Sequence, residues 1–325
     1  MARRAFIFAA FITLAVALGT FSGRAERAPF VAPPRSITDI TAILDAEKPD
    51  PQLIAKLTGA ADAMPPKDTD RLTLAKFYYE RGNARKQLGR MREALDDGQK
   101  AVEAARGVAD SNQLGRMMQF LAIQYKRVGE PTQALVTFEQ MIRDVDRPGS
   151  WGFLFNIYRQ IGSILLPMGG IAKADEYLRR SQLLLDEARS STKPEVRRAL
   201  AAREATWDSD IEGLRAMIFE ARGQFDEARQ SYERAEERKR ASLKDVLAGA
   251  NPPPADQIVQ SADVYLTSQA RMKVRLGRLA EAESDARRAL LSRLQYGGKY
   301  NPDTSLYLTT LSNILIEEGR FADSE

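Results

Sequence analysis

The side chains that most often carry covalent chemistry are missing from this protein. Its 325 residues include no cysteine and no histidine. That excludes Ser–His and Cys–His nucleophile pairs, imidazole bases and thiolate zinc sites. It also excludes a disulfide framework and a lipid-modified cysteine. Carboxylate pairs such as Glu220 and Asp226 fall on exposed helical positions, which does not suit an acid/base pair. Gly169-Gly170 lacks the Lys-Ser/Thr that follows a phosphate-cradling loop. Trp151, Trp207 and Tyr232 read as core residues. No catalytic residue, cofactor or metal is implied. The chemistry left to the chain is recognition, in which Lys and Arg donors and neighbouring amides meet acceptors on another molecule.

Composition fits that reading. Apolar residues make up 44% and charged residues 28%, a globular balance. Lys and Arg number 48 against 44 Asp and Glu, a formal charge of +4. Three of the basic residues, Arg3, Arg4 and Arg24, lie in a leader, so the remainder is nearly neutral and has no global attraction for nucleic acid. The leader, residues 1–25, has a short basic start, an apolar run from Ala5 to about Phe21, and Gly23-Arg24-Ala25. This is a signal-peptide pattern with cleavage expected after Ala25 and export to a bacterial periplasm or beyond. The alternative is an uncleaved anchor helix, since the run lies near the lower length that spans ~30 Å of hydrocarbon. The string RRAFI resembles a twin-arginine export signal, with Ala before the pair in place of Ser or Thr.

The rest of the chain has to build the frame for recognition. A Pro-rich spacer over 26–35 leads to an N-terminal helix pair over 36–63. Ser36 and Asp39 give a capping-box-like start for a helix at 37–47. Asp50-Pro51 supplies an N-cap and first-turn proline for a second at 51–62. The breaker MPPKD follows. From residue 68 onward a glycine recurs with a small residue five positions later: Gly89/Ala94, Gly129/Ala134, Gly169/Ala174, Gly223/Ala228, Gly277/Ala282 and, more weakly, Gly319/Ser324. Successive glycines are 40, 40, 54, 54 and 42 residues apart. Such periodicity marks stacked supersecondary units. The glycine permits a tight turn between antiparallel helices, and the small residue lets the second helix approach the first. The two long steps add about four helical turns, ~21 Å of extra helix. Val196, Leu200, Trp207, Ile211, Leu214, Ile218 and Ala221 keep helical spacing without proline, which predicts one long helix over 195–222. Its partner should run from Phe225 to Leu247. The pair is expected to protrude from the stack, its last stretch, Glu237–Asp245, charged and solvated.

These spacings resemble the tetratricopeptide repeat (TPR) family over about residues 68–325, in six copies of which the last is incomplete. The second copy carries the pattern in Met118, Ala122, Tyr125, Gly129, Ala134 and Phe138. The third carries it in Tyr158, Gly162, Leu165, Gly169, Ala174 and Leu178. The first copy departs at Arg85 and Gly98, the fourth at Glu212 and the fifth at Lys273. The resemblance implies an all-α helical-hairpin solenoid, a right-handed superhelix that binds proteins and does not catalyse. It also implies that the first helices of the repeats line a concave groove. By position, that groove would show Lys76, Tyr79, Asn83 and Lys86, then Arg116, Gln119, Lys126 and Arg127, then Asn156, Arg159 and Ser163. This basic, amide-rich end suits a peptide carboxylate or an acidic segment. Tyr79 stands where carboxylate clamps of chaperone-binding members place a lysine. Later groove positions, among them Asp210, Gly213, Met217, Glu220 and Arg271, read as inter-repeat packing.

The last copy has its first helix and turn but little of a second helix before Glu325. Leu308, Leu311, Leu315 and Ile316 should therefore lose part of their cover. The organisation resembles the N-terminal region of exported bacterial TPR–CHAT proteins, whose caspase-like domain uses a His–Cys pair. The expectation is a free-standing interaction scaffold in the bacterial periplasm, and the alternative is the regulatory or substrate-recruiting arm of a longer exported protease, of which this chain would be the N-terminal part. The partners implied are a protein or peptide, with no nucleic acid, and a membrane only through an uncleaved leader.

Overall fold

In the computed structural model of the protein, residues 31–34, 36–145, 151–247 and 255–325 are described. They form fourteen α-helices and no strand. The leader and most of the Pro-rich stretch after Leu247 lie outside the described residues, as does the side chain of Trp151. None of the described helices is long and apolar enough to cross a membrane.

Helices α1 (Thr38–Ala46) and α2 (Pro51–Ala61) precede six hairpins. These are α3 (Arg71–Gln87) with α4 (Met91–Ala105), α5 (Ser111–Arg127) with α6 (Pro131–Val145), and α7 (Trp151–Leu165) with α8 (Ile171–Ser190). Then follow α9 (Pro194–Ala221) with α10 (Phe225–Leu247), α11 (Ala255–Arg275) with α12 (Leu279–Gly297), and α13 (Thr304–Glu317) with the short α14 (Phe321–Ser324). Aspartates open several helices by accepting from their first-turn amides. Asp50 and Asp70 do so at α2 and α3, and Asp110 closes a capping box with Gln113 at α5. Each hairpin turns on a glycine in the left-handed region, φ +75 at Gly89 and +82 at Gly129, where an L side chain would be strained. Ala94, Ala134, Ala174, Ala228 and Ala282, five positions after their glycines, are fully buried. A larger side chain there would push the two helices of the hairpin apart.

The long pair is present, with 28 residues in α9 and 23 in α10. Its extra length is partly covered. At 20 residues, α8 lengthens alongside it, and Leu185, Ala188, Val196, Trp207 and Ile211 form a cluster with Phe155. The Trp207 and Phe155 rings stack with centroids 4.9 Å apart. The solvated end expected of α10 is only partly so. Lys239 and Ser242 are buried, and Arg240 is held by Glu236 at 2.8 Å and Asp263 at 2.7 Å.

The two N-terminal helices seat on opposite ends of the array. Arg81 and Arg85 of α3 donate to the Ala63 and Ala61 carbonyls at 2.8 and 2.9 Å, which fixes the end of α2 on the first repeat. In α1, Ile40 is buried in a cluster with Leu266, Leu290 and Leu311 of the last hairpins. Buried Arg287 donates to Asp39 at 3.0 Å and to the Ser36 carbonyl at 2.8 Å. Lys299 donates its backbone N–H to Glu47 at 2.9 Å and its ammonium to the Leu44 carbonyl. Residues 34–63 therefore join the first repeat to the last. Leu311 and Leu315 are accordingly buried and Leu308 is partly so, while Ile316 stays exposed, as do Leu306 and Phe321.

Candidate partner-binding groove

Helices α3, α5 and α7 carry the residues expected to face a partner, and the 40-residue step places Lys86 and Lys126 at the same level of successive repeats. Polar bonds run along α3 and between α5 and α7. Lys86 reaches Asn83 Oδ1 at 3.5 Å, and Asn83 donates to the Tyr79 carbonyl at 2.8 Å. Between α5 and α7, Gln119 donates to Asn156 at 2.9 Å and Lys126 to Ser163 at 2.9 Å. Tyr79 meets Phe120 edge to face at 5.5 Å, so its ring helps pack α3 against α5. Lys76 and Arg116 stand exposed nearer the starts of their helices, away from these bonds.

Four cations of the expected set, Lys86, Lys126, Arg127 and Arg159, come together electrostatically. Burial lowers the Lys86 pKa and Arg127 lowers it further. Burial likewise lowers that of Lys126, aided by Arg159 and Arg127. Two of the four have carboxylate partners. Arg159 pairs with buried Asp210 at 3.1 Å and lies over the Tyr265 ring at 5.9 Å. Arg127 pairs with Asp303 at 2.6 Å. The bonds described for Lys86 and Lys126 run to an amide and a hydroxyl, neutral groups that supply no counter-charge. Lys86 is partly buried and feels Asp303, while Lys126 is exposed, and a carboxylate brought to either gains a charge-assisted bond.

Of the later positions, Asp210, Gly213, Met217 and Glu220 pack, while Arg271 is exposed. Gly213 lies against Tyr265, where an added Cβ would come within 2.6 Å of the ring, and Tyr265 also approaches Asp210 at 3.5 Å. Glu220 accepts from Tyr232 at 2.6 Å. Asp303, Gln260 and Arg293, at the edge of the cation cluster, were not anticipated. Asp303 looks like an ordinary helix-opening aspartate in sequence, and its contact with Arg127 spans 176 residues. Among the described residues, no group of three or more Asp and Glu side chains could hold a metal ion.

Six helical hairpins turning on left-handed glycines, with first helices carrying polar bonds, define a helical-repeat solenoid. A tetratricopeptide repeat family model matches residues 75–107 and 213–242, the first and fourth hairpins. These two hairpins are tetratricopeptide repeats. Among solved structures, NprR in complex with its cognate peptide NprX shares the fold at a TM-score of 0.53 and 14% identity, covering 88% of this chain and 71% of that one. BtubC from P. vanneervenii is similar at a TM-score of 0.45 and 16% identity, covering 76% and 89%. TTC0263, a TPR protein of Thermus thermophilus, gives 0.45 and 16%, covering 74% and 99%. No curated protein matches the sequence.

Proposed function

We propose that this protein is a non-catalytic interaction scaffold whose groove between α3, α5 and α7 takes an acidic segment of a partner protein. The observation that carries the reading is the pair Lys86 and Lys126, cations drawn to one level of the groove and bonded there to neutral groups. Asn83, Gln119 and Asn156 add donors and acceptors for the backbone of an extended segment. NprR, which shares the fold, is seen holding a peptide.

The test is an equilibrium titration by fluorescence anisotropy, with a fluorescein-labelled hexaglutamate peptide. Wild type should bind it in preference to a hexalysine peptide. The variant Lys86→Gln/Lys126→Gln, checked for native helicity by circular dichroism, should bind at least about tenfold more weakly, from loss of two charge-assisted contacts. Equal affinities of wild type and variant would remove the groove from the account.

The proposed site of action is the bacterial periplasm, reached through the leader. N-terminal sequencing of the envelope protein should read from Glu26. A second reading makes the same groove the recruiting arm of an exported caspase-like protease. It is favoured by the pairing of an export leader with degenerate repeats. A native band much larger than this chain on an immunoblot would support it, and a band of its own mass would set it aside.

A further inference from the structure

Besides buried Asp210, paired with Arg159, the cation cluster of the groove touches a second carboxylate of the chain itself. Asp303 stands just before α13, the place from which Asp50, Asp70 and Asp110 cap their own helices, yet it makes no capping bond. Its carboxylate instead accepts from Arg127 at 2.6 Å and from Gln260 at 3.0 Å. Two further cations act on it or feel it. Arg293 is 2% exposed with an Nε that has no hydrogen-bond partner, and Lys86 lies within electrostatic reach. Its backbone is helical, φ −76 and ψ −15, unlike the extended backbone of those three caps, and its carboxylate sits among groove cations in the position a ligand would take.

We propose that Arg127 and Gln260 form a carboxylate subsite of the groove, filled in cis by Asp303, and that an acidic side chain of the partner takes Asp303's place. The proposal rests on the reading of the groove as a site for acidic segments. Exchanging one carboxylate for another keeps the bonds from Arg127 and Gln260, so the exchange itself carries little penalty. The contact between α5 and the start of α13 is then broken, and the solenoid opens on the partner. In the free protein the filled subsite lowers apparent affinity by the fraction of molecules in the closed form.

Two experiments test this, and the absence of native cysteine makes the second straightforward. In the hexaglutamate titration, Asp303→Asn and Asp303→Ala should each bind about fivefold more tightly than wild type, the worth of one partly exposed ion pair. Spin labels on Gln133→Cys and Leu306→Cys, both exposed, report the distance between the second repeat and α13. That distance should lengthen when hexaglutamate is added to otherwise wild-type protein, and should start longer in Asp303→Ala. Unchanged or weaker binding by both folded variants, with a label distance that ignores the peptide, would overturn the proposal. If Lys86→Gln/Lys126→Gln loses binding while the Asp303 variants do not gain it, only the subsite falls. If neither set alters binding, the groove reading falls with it.

Discussion

At the scale of single residues, the departures from the repeat pattern are the informative positions. Arg85 and Lys273 each stand four residues before a turn glycine, where a bulky apolar side chain is expected. Each pairs with an aspartate twelve residues on, Arg85 with Asp97 at 2.9 Å and Lys273 with Asp285 at 2.6 Å. Asp97 is fully buried and also receives Arg81 at 2.7 Å, so Asp97→Ala would strand two guanidinium groups against α2. Chemical denaturation of that variant should show a loss of about 3–5 kcal/mol. The first repeat's other oddity is also explained, since Phe120 lies where a Cβ on Gly82 or Gly98 would fall, at 3.1 and 3.3 Å. In the groove, Lys86 and Lys126 have pKa values below their ordinary 10.5, burial being the main cause. Their positive charge, and with it affinity for an acidic segment, is full below the lowered pKa values and lost as pH rises through them. Affinity for hexaglutamate should therefore start to fall at a lower alkaline pH than ordinary lysines would give, and this part of the pH profile should vanish in Lys86→Gln/Lys126→Gln. How much of this was legible in sequence differs from residue to residue. The position of Lys86 and Lys126 followed from the 40-residue step, whereas Asp303 carried no sign of its partner, because nothing local in NPDTS differs from a helix cap.

At the scale of elements, sequence periodicity was sufficient wherever the determining contacts were close in the chain. The turn glycines, the buried alanines five residues later and the length of α9 all follow from spacings within one hairpin. Gly213 shows where such reasoning stops. In sequence it is only a helix-weakening residue, while in the fold it makes room for Tyr265 from the next repeat. Gly213→Ala improves helix propensity by about 1 kcal/mol. It nevertheless should destabilise the protein by roughly 1–3 kcal/mol in thermal unfolding, because the buried Tyr265 ring has nowhere to move. Helix α1 is a second case. Nine residues with Ile40 and Leu44 on one side, preceded by Ile37, announce an amphipathic helix, but its seat lies some 250 residues away, near Arg287. Ile40→Ala should speed amide hydrogen exchange throughout α1 and leave exchange in α5 unchanged. Unaltered exchange in α1 would mean that Ile40 does not hold the helix in place.

At the scale of the whole molecule, residues 32–325 form one compact unit in which the last repeat is tied back twice, once to the first repeat and once to the second. One tie is structural, through α1 and α2, and consists of buried apolar contact with backbone hydrogen bonds. The other is the partly exposed Arg127–Asp303 pair, which is worth little in water and is screened by salt. The difference between the two ties suits a scaffold that keeps its frame while the groove exchanges partners. The central claim is that an acidic segment enters between α3, α5 and α7. The measurement that bears on it most directly is hydrogen–deuterium exchange of the whole chain with and without saturating hexaglutamate. The account predicts slower exchange in the later halves of α3 and α5 and in α7, with α4 and α6 unaffected. Protection confined to α4 and α6, or no protection at all under conditions where the peptide is bound, would contradict it.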